Sequence, residues 1–225
     1  MKDPKFYRMY DYDRKLLPNQ HLQELERGVS NLEEARERSG ASIGYPGWGL
    51  IYQLALCSLD PHRFNTVIET GTNHGCSSIV LAQALSDRGE GGVLHTVEID
   101  TQVAEIARSN IAAAGLSGCV QQHVGASLEV LPSVLEQVEQ VNLAFLDGSH
   151  LQKDALGEFD LVRPKLAPGA LVLFDNTYLI AEEGEDQRVH GALAVIEGRG
   201  DGNIVNLPFV SWYTPGVAIW QHQPF

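Results

Sequence analysis

The sequence predicts an α/β protein whose core is a doubly wound sheet of about seven strands, mostly parallel, with helices on both faces. Three observations lead to this prediction. From Thr66 onwards, short apolar β-rich runs alternate with helical patterns, which is typical of a parallel sheet. The first run breaks into a loop with two glycines and then opens a helix. Near the C-terminus, two β-rich runs flank a turn-forming segment, which predicts a closing antiparallel hairpin.

The residues before the first strand follow a different pattern. Leu16–Ser39 is charged and helical, and Leu50–Leu59 is typical of a short apolar helix. We interpret residues 1–60 as a helical cover and residues 61–225 as the core, so that 1–225 forms a single domain, as the chain length allows. The charged helix could pair with a second subunit in a homo-oligomer.

The core elements follow one another in a regular order. Strands are predicted at Thr66–Thr70, Val93–Ile99, Val120–His123, Val141–Leu146 and Ala170–Asp175. Helices are predicted between them at Ser77–Arg88, Gln102–Ala114, Ser127–Val138 and Asp154–Lys165. The antiparallel hairpin is predicted at Asn203–Val210 and Val217–His222. The arrangement is that of a Rossmann-like fold, in which ligands bind at the carboxyl ends of the strands.

Composition and charge exclude several classes of protein. A net charge of −13 argues against non-specific binding to nucleic acid or to an anionic membrane surface. The apolar runs are too short to span a bilayer, and no secretory signal is visible at the N-terminus. Three cysteines without a C-x-x-C spacing fit a reduced, cytoplasmic protein. Cys76, at the start of a helix, is either a reactive thiol or a small residue fitted beside the loop.

The loop after the first strand, Glu69-Thr70-Gly71-Thr72-Asn73-His74-Gly75, is the most informative segment. A dinucleotide-binding loop has the spacing G-x-G-x-x-G, whereas this loop has G-x-x-x-G and lacks the turn that holds a pyrophosphate. It has instead an acidic residue, Glu69, two positions before the first glycine. A carboxylate there suits a positively charged ligand. S-adenosylmethionine, which carries an ammonium and a sulfonium group, is the common ligand of that description.

The next two strands also end in residues suited to a nucleoside. Strand two delivers Glu98 and Asp100, and a carboxylate at this point can accept hydrogen bonds from both ribose hydroxyls. Strand three is followed by Gly125-Ala126-Ser127, a turn that leads into a helix and suits contact with an adenine edge. Alone, Glu98 is equally well explained as a surface acid at a strand end, but its place after the glycine loop favours the ligand-binding role.

The fourth and fifth strands deliver oxygen ligands to the same edge of the sheet. Asp147 closes the fourth strand, and Asp175 and Asn176 close the fifth. Two carboxylates and an amide predict a site for Mg²⁺, or for another divalent cation such as Ca²⁺ or Mn²⁺, since hard cations prefer oxygen. The alternative is that both aspartates are helix caps or loop formers.

His150, three residues after Asp147, is a candidate general base, because an unperturbed imidazole titrates near neutral pH. Asp147 acting with the metal is the alternative base. His74 is the nearest rival histidine, but its place in the glycine loop suits contacts to the cofactor. Tyr45 and Trp48, in a glycine-rich segment, are candidates for a movable lid. Other aromatic residues that could wall the substrate are Tyr178, Trp212 and Tyr213.

These motifs together resemble the class I S-adenosylmethionine-dependent methyltransferases, and within them the metal-dependent catechol O-methyltransferase-like group. The resemblance extends from about Thr66 to Trp220. It depends on the segments Val67–Ser77, Val97–Asp100, Val124–Ser127, Phe145–Asp147 and Leu166–Asn176. The family's lysine base falls where this chain has His150. The string Asp147-Gly148-Ser149-His150 is similar to a second group, the O-methyltransferases of antibiotic sugars and the cephalosporin hydroxylase-like proteins.

The resemblance implies a role for each matching residue. The methionine end of the cofactor would lie at Glu69, Gly71 and Ser77, the ribose at Glu98, and the adenine at Ser127. The full set expected to contact the cofactor is Glu69, Gly71, Thr72, Asn73, Gly75, Ser77, Glu98, Ile99, Ala126, Ser127 and Asp147. The metal would be held by Asp147, Asp175 and Asn176, and the catalytic residues would be His150 and Asp147.

The implied activity is methyl transfer from S-adenosylmethionine to a hydroxyl of a small molecule, with a phenol and a sugar as open alternatives for the acceptor. A nicotinamide dehydrogenase would need the two glycines that the loop lacks. A serine hydrolase would need G-x-S-x-G, which neither serine-containing turn provides. The remaining alternatives are a non-methylating member of the fold, such as a cephalosporin hydroxylase-like protein, and a ligand-binding module without catalysis.

Overall fold

The structure is a computed structural model, and it describes residues 17–40, 44, 47–177, 187–207 and 216–222. Several sequence predictions lie outside these residues. They concern the first 16 residues of the N-terminal cover, the end of the predicted strand at 208–210, and the side chains of Tyr45, Tyr178, Trp212 and Tyr213.

The helices and strands alternate through the core. The helices are α1 Gln20–Glu26, α2 Leu32–Ser39, α3 Gly47–Ser58, α4 Cys76–Asp87, α5 Thr101–Ala113, α6 Ser127–Glu136, α7 Gln152–Val162 and α8 Arg188–Glu197. The strands are β1 Asn65–Thr70, β2 Gly92–Glu98, β3 Val120–Val124, β4 Val141–Leu146, β5 Leu166–Asp175, β6 Gly202–Leu207 and β7 Val217–His222. Short 3₁₀ turns precede β3 and β5.

The seven strands form one sheet in the order β3-β2-β1-β4-β5-β7-β6, which confirms the predicted fold class. The first five strands are parallel to their neighbours. β7 is antiparallel to both β5 and β6, so the prediction of one antiparallel pair was incomplete. The order reverses between β1 and β4, whose parallel carboxyl ends open a crevice of the kind that binds ligands.

Side chains of the buried strands alternate between two apolar layers. Val67 and Leu143 point to the layer formed with α3, α4 and α5. Ile68 and Ala144 point to the layer formed with α6, α7 and α8. This period of two places Glu69 on the same face as Val67, and Thr70 on the opposite face.

The structure corrects the sequence analysis at three of its helices. The single helix expected over Leu16–Ser39 is two helices, because the chain leaves α1 at Gly28 with a φ of 75°. Helix α8 was not predicted, although Val189, Leu193 and Ile196 form a buried stripe at helical spacing. Trp48 lies in α3 with no exposed surface, so its predicted role in a movable lid is wrong.

No helix in the described ranges is long and apolar enough to cross a membrane.

Candidate functional site

A cavity of about 690 Å³ lies at the carboxyl edge of the sheet, around the ends of β1, β2, β4 and β5. It brings together most of the residues predicted for the site. The predicted residues that line it are Gly71, Asn73, Glu98, Ile99, Ala126, Ser127, Asp147, His150, Asp175 and Asn176. Four predicted cofactor residues do not line it, namely Glu69, Thr72, Gly75 and Ser77.

The glycine loop reaches the cavity through a close approach of two strand ends. Gly71 has a φ of 81°, and a Cβ placed on it would lie 2.0 Å from the carbonyl oxygen of Asp147. Only glycine therefore lets the loop after β1 lie against the end of β4. Asn73 also has a left-handed backbone, with a φ of 49°, and its side-chain amide donates to the carbonyl of Gly40 at 3.0 Å. The loop is thus anchored to the segment that follows α2.

The acid at the end of β2 organises the neighbouring backbone. One carboxylate oxygen of Glu98 accepts a hydrogen bond from the backbone N–H of Asn73 at 2.8 Å. The other accepts from the N–H of Asp100 at 3.0 Å. Each oxygen keeps a lone pair for a ligand hydroxyl. Ile99 follows with 72% of its surface exposed, and with Val103 and Leu128 it provides an apolar wall suited to a purine ring.

Ser127, the first residue of α6, is tied to a buried carboxylate that sequence reasoning missed. Its hydroxyl donates to one oxygen of Glu158 on α7. The other oxygen of Glu158 accepts from the hydroxyl of Thr70, the last residue of β1, at 2.9 Å. Glu158 is only 1% exposed, and burial raises its pKa while the two hydroxyl donors oppose this change. The spacing of Ala155, Glu158 and Val162 at 3–4 residues could have placed this acid on the buried face of the helix.

Asp147 and Asp175 form a close pair of carboxyl groups at the other end of the cavity. Ligand oxygens of the two residues lie within 4.8 Å of each other, and burial raises the pKa of Asp147 to about 8. The pKa of Asp175 is also raised, by burial and by the charge of Asp147. The Oδ1 atom of Asp175 is buried and has no hydrogen-bond partner among the described residues. Two crowded acids with an unsatisfied oxygen are a chemically suitable set for a divalent cation.

His150 and Asn176 complete this end of the cavity. The Nε2 atom of His150 lies 3.2 Å from Asp147 Oδ1 and 2.7 Å from the amide nitrogen of Asn176. Ligand atoms of Asp147, His150 and Asp175 all lie within 4.8 Å of one another, so His150 is a candidate metal ligand as well as a candidate base. Burial lowers the pKa of His150, which favours the neutral imidazole that either role requires.

The charge of the cavity wall is negative. Five carboxylate side chains line it, those of Glu98, Glu129, Asp147, Asp154 and Asp175, and no lysine or arginine of the described part of the chain does so. Such a wall favours cationic ligands over phosphate-bearing ones. Glu129 and Asp154 were not predicted from the sequence. Asp154 accepts a hydrogen bond from Ser149 at 2.6 Å, and this pairing across a helix start was a recognisable signal.

The four predicted cofactor residues that do not line the cavity are all buried. Glu69 has no exposed surface, and its carboxylate accepts hydrogen bonds from Ser78 and from Thr96 at 2.6 Å. Both bonds go to one oxygen, whereas the other, Oε1, is buried and has no hydrogen-bond partner among the described residues. The side chain does not line the cavity, and the expected contact with the cofactor ammonium stays a prediction. The hydroxyl of Thr72 lies 2.6 Å from that of Thr96.

Gly75 and Ser77 occupy the start of α4 and pack inwards. A Cβ on Gly75, which has a φ of 82°, would lie 3.2 Å from the backbone of Ala107. Ser77 is buried within the helix. Cys76 is buried too, and burial raises the pKa of its thiol, which argues against a reactive thiol and supports the small-residue interpretation.

Comparison with known families agrees with this geometry. The family model described as a methyltransferase domain matches residues 68–177. The chain is 31% identical to a catechol O-methyltransferase of Niastella koreensis over 132 residues, which cover 56% of this chain and 57% of that protein. It is 33% identical to catechol O-methyltransferase B of Danio rerio over 136 residues, which cover 60% of this chain and 47% of that protein. The matches thus span about half the length of these curated relatives.

Solved structures share the fold over nearly the whole chain. The O-methyltransferase TomG of Streptomyces achromogenes, solved in complex with SAM, matches with a TM-score of 0.72 and 25% identity, covering 92% of this chain and 91% of that one. An O-methyltransferase of Bacillus cereus in complex with SAH matches with a TM-score of 0.76 and 22% identity, covering 91% of each chain. These likenesses show that the chain shares the fold of these O-methyltransferases.

Proposed function

We propose that this chain is a class I S-adenosylmethionine-dependent methyltransferase of the catechol O-methyltransferase-like group, and that it methylates a hydroxyl oxygen of a small molecule. The observation that carries the proposal is the single cavity wall that joins Gly71, Glu98 and Ser127 to the pair Asp147 and Asp175. One part of this wall suits a nucleoside, and the other suits a cation and a reacting oxygen.

The cofactor would occupy the part of the cavity formed by the first three strand ends. S-adenosylmethionine, when bound, supplies a methyl group on a positively charged sulfur. The free lone pairs of Glu98 suit the ribose hydroxyls, and the apolar wall at Ile99 suits the adenine ring. Ala126 and Ser127 would lie at the adenine edge, and Gly71, Asn73 and Asp147 near the methionine end. Glu69, Thr72, Gly75 and Ser77 would act indirectly, through buried contacts that fix the shape of the glycine loop and the start of α4.

Metal dependence is a further part of the proposal. The raised pKa values of Asp147 and Asp175 and the unsatisfied Oδ1 of Asp175 support a divalent cation at this pair. Asp147, Asp175 and Asn176 would hold Mg²⁺, or another divalent cation such as Ca²⁺ or Mn²⁺, and His150 is an additional candidate ligand. A divalent cation at this position lowers the pKa of a hydroxyl group that it binds.

A protein side chain would remove the proton of the acceptor hydroxyl. His150 is held neutral by burial and lies within reach of Asp147, so either residue could take the proton of the acceptor hydroxyl. Holding the acceptor oxygen in line with the methyl group would supply much of the rate, because alignment removes an entropic barrier. No covalent intermediate on the protein is needed.

For the methyl acceptor we propose a chemical class, and for the reaction a cellular compartment. A phenolic or catechol-like acceptor follows from the relatives named above, whereas a sugar-type acceptor follows from the motif Asp147-Gly148-Ser149-His150. The negative cavity wall favours an acceptor without phosphate groups. We place the reaction in the cytoplasm, and pairing with a second subunit would leave this chemistry unchanged.

A calorimetric titration tests the proposal directly. Metal-stripped protein is titrated with S-adenosylmethionine, alone and with Mg²⁺ present, and with NAD as the control ligand. We expect micromolar binding of S-adenosylmethionine and none of NAD. The loaded protein is then given a catechol and an amino sugar with labelled S-adenosylmethionine, and the label is followed into product. Absence of binding in both conditions would refute the proposal, whereas binding without transfer to any hydroxyl would favour a non-methylating member of the fold.

A further inference from the structure

The hydroxyl of Ser127 has only one way to point its hydrogen. Its donor is engaged by Glu158, which is buried beneath the cavity and accepts from Thr70 with its other oxygen. Since a hydroxyl has one hydrogen, Ser127 can offer the cavity only its lone pairs. The residue lines the cavity, so a ligand meets it as an acceptor of hydrogen bonds.

Glu158 is held in place from several sides. It belongs to α7 and is 1% exposed, and the space around it is filled. A Cβ on Gly148, the residue after Asp147, would lie 2.9 Å from one Glu158 oxygen. The carboxylate therefore bonds to the end of β1 and to the start of α6, and it lies close against the loop after β4.

We propose that Glu158 is a positioning residue that sets the hydrogen-bond polarity of Ser127, and that the pair thereby selects a 6-amino purine over a 6-oxo purine. This inference depends on the proposed function, which puts the adenine of the cofactor beside Ser127. The 6-amino group of adenine donates a hydrogen bond to the lone pairs of Ser127. A 6-oxo group presents an acceptor to an acceptor, and such a mismatch in a partly buried site is strongly unfavourable.

Two ligands that differ in the group at C6, and in the hydrogen that N1 carries only in the oxo form, test this inference; because N1 is the same in every titration of a given ligand, the change of their affinity ratio between variants reports on Ser127 and Glu158. The ligands are S-adenosylhomocysteine, which carries the 6-amino group, and S-inosylhomocysteine, which carries the 6-oxo group. We expect the wild-type protein to bind the amino ligand at least about tenfold more tightly than the oxo ligand, in titrations of the full chain. The ratio of the two affinities is the measured quantity, because a general loosening of the cavity weakens both ligands together.

Two substitutions test the role of the pair. Glu158→Met keeps an unbranched side chain of similar length but frees the Ser127 hydroxyl to donate, so it should reduce the ratio at least about threefold by improving relative binding of the oxo ligand. Ser127→Ala removes the acceptor, so it should reduce the ratio by weakening the amino ligand. Glu136→Met is the matched control for the Glu158 variant. Glu136 is exposed at the far end of α6, the helix that begins at Ser127, and its replacement should keep the wild-type ratio.

The outcomes separate this inference from the function on which it depends. A wild-type ratio in folded Glu158→Met, judged by its thermal melting curve, overturns the inference. If that variant fails to fold, Ser127→Ala decides, and an unchanged ratio there also overturns it. Failure of the wild-type protein to bind S-adenosylhomocysteine at all would instead refute the proposed function and the inference with it. Reduced ratios in both variants, with an unchanged control, would support it.

Discussion

Glu69→Gln should gain stability relative to the wild type as the pH rises. The compared quantity is the difference in unfolding free energy between the two proteins at each pH. The carboxyl group has no exposed surface, and burial raises its pKa from the ordinary value of 4.5 to about 7. Below pH 4.5 the group is protonated in both the folded and the unfolded chain and has no linkage effect. As the pH rises through about 7, the folded chain must carry a buried charge that the unfolded chain exposes to water.

The size of the effect follows from the two pKa values. The difference between 4.5 and about 7, at about 1.4 kcal/mol per pH unit, amounts to about 3 kcal/mol of stability lost by the wild type across this range. Glutamine has nearly the same shape and does not ionise. The hydroxyls of Ser78 and Thr96 can rotate to suit its amide. The difference in unfolding free energy between variant and wild type should therefore grow by about 3 kcal/mol from pH 4.5 to pH 8.5.

Urea denaturation at several pH values between these limits measures this difference. Other acids titrate in the same range, but they are common to both proteins and largely cancel in the comparison. Glu136→Gln makes the same chemical change at an exposed position and should give a difference that does not vary with pH. A Glu69→Gln difference that is equally flat would refute the reasoning from burial.

The same variant also tests where the cofactor binds. Because Glu69 is buried and does not line the cavity, Glu69→Gln should change the affinity for S-adenosylmethionine by less than about threefold. Removing one partner of a direct ion pair would cost far more, so a loss of about thirtyfold or greater would restore the contact that the sequence predicted.

Three other substitutions address the cavity itself. Asp175→Ala should abolish metal-dependent turnover while calorimetry still finds S-adenosylmethionine bound within about threefold of wild-type affinity; surviving turnover would contradict the metal site. Glu98→Ala removes two backbone contacts and the proposed ribose contact, and we expect titration to find about 10–100-fold weaker cofactor binding. Gly71→Ala forces a Cβ against the carbonyl of Asp147 at a φ of 81°, and should lower stability by about 2–4 kcal/mol in urea denaturation; an unchanged midpoint would exclude this clash.

Much of the fold could be predicted because parallel βα units carry strong periodic signals. The boundaries of β4 matched the prediction, those of β1 differed by one residue at one end, and those of β2 differed by one residue at each end. β5 begins four residues earlier than expected, since Pro168 and Gly169 resemble a turn but lie within the strand. The long helix predicted for the N-terminal cover is divided at Gly28, whose left-handed backbone ends the first helix and is a local signal that the prediction overlooked.

The candidate site was predictable where position along a strand decides position in space. Glu98, Asp147 and Asp175 all end parallel strands, so they had to meet at one edge. Glu69 was assigned by its distance from a glycine, but strand alternation points its side chain to the face covered by α4. Glu158 could be placed on the buried face of its helix and Asp154 beside Ser149 from local spacing, but only the folded packing brings Glu158 to Ser127, which lies 31 residues away in the sequence.

The position of β7 in the sheet affects how the chain folds during synthesis. It is the last strand of the described chain, yet it lies between β5 and β6 and pairs Trp220 with Val172. Until residues 217–222 leave the ribosome, one whole edge of β5 offers unpaired backbone groups beside a growing apolar surface. The five parallel strands can assemble earlier, but the nascent sheet stays open to pairing with another chain at this edge. Slow translation of residues 217–222 should therefore increase aggregation, and a chaperone that covers this edge would reduce it.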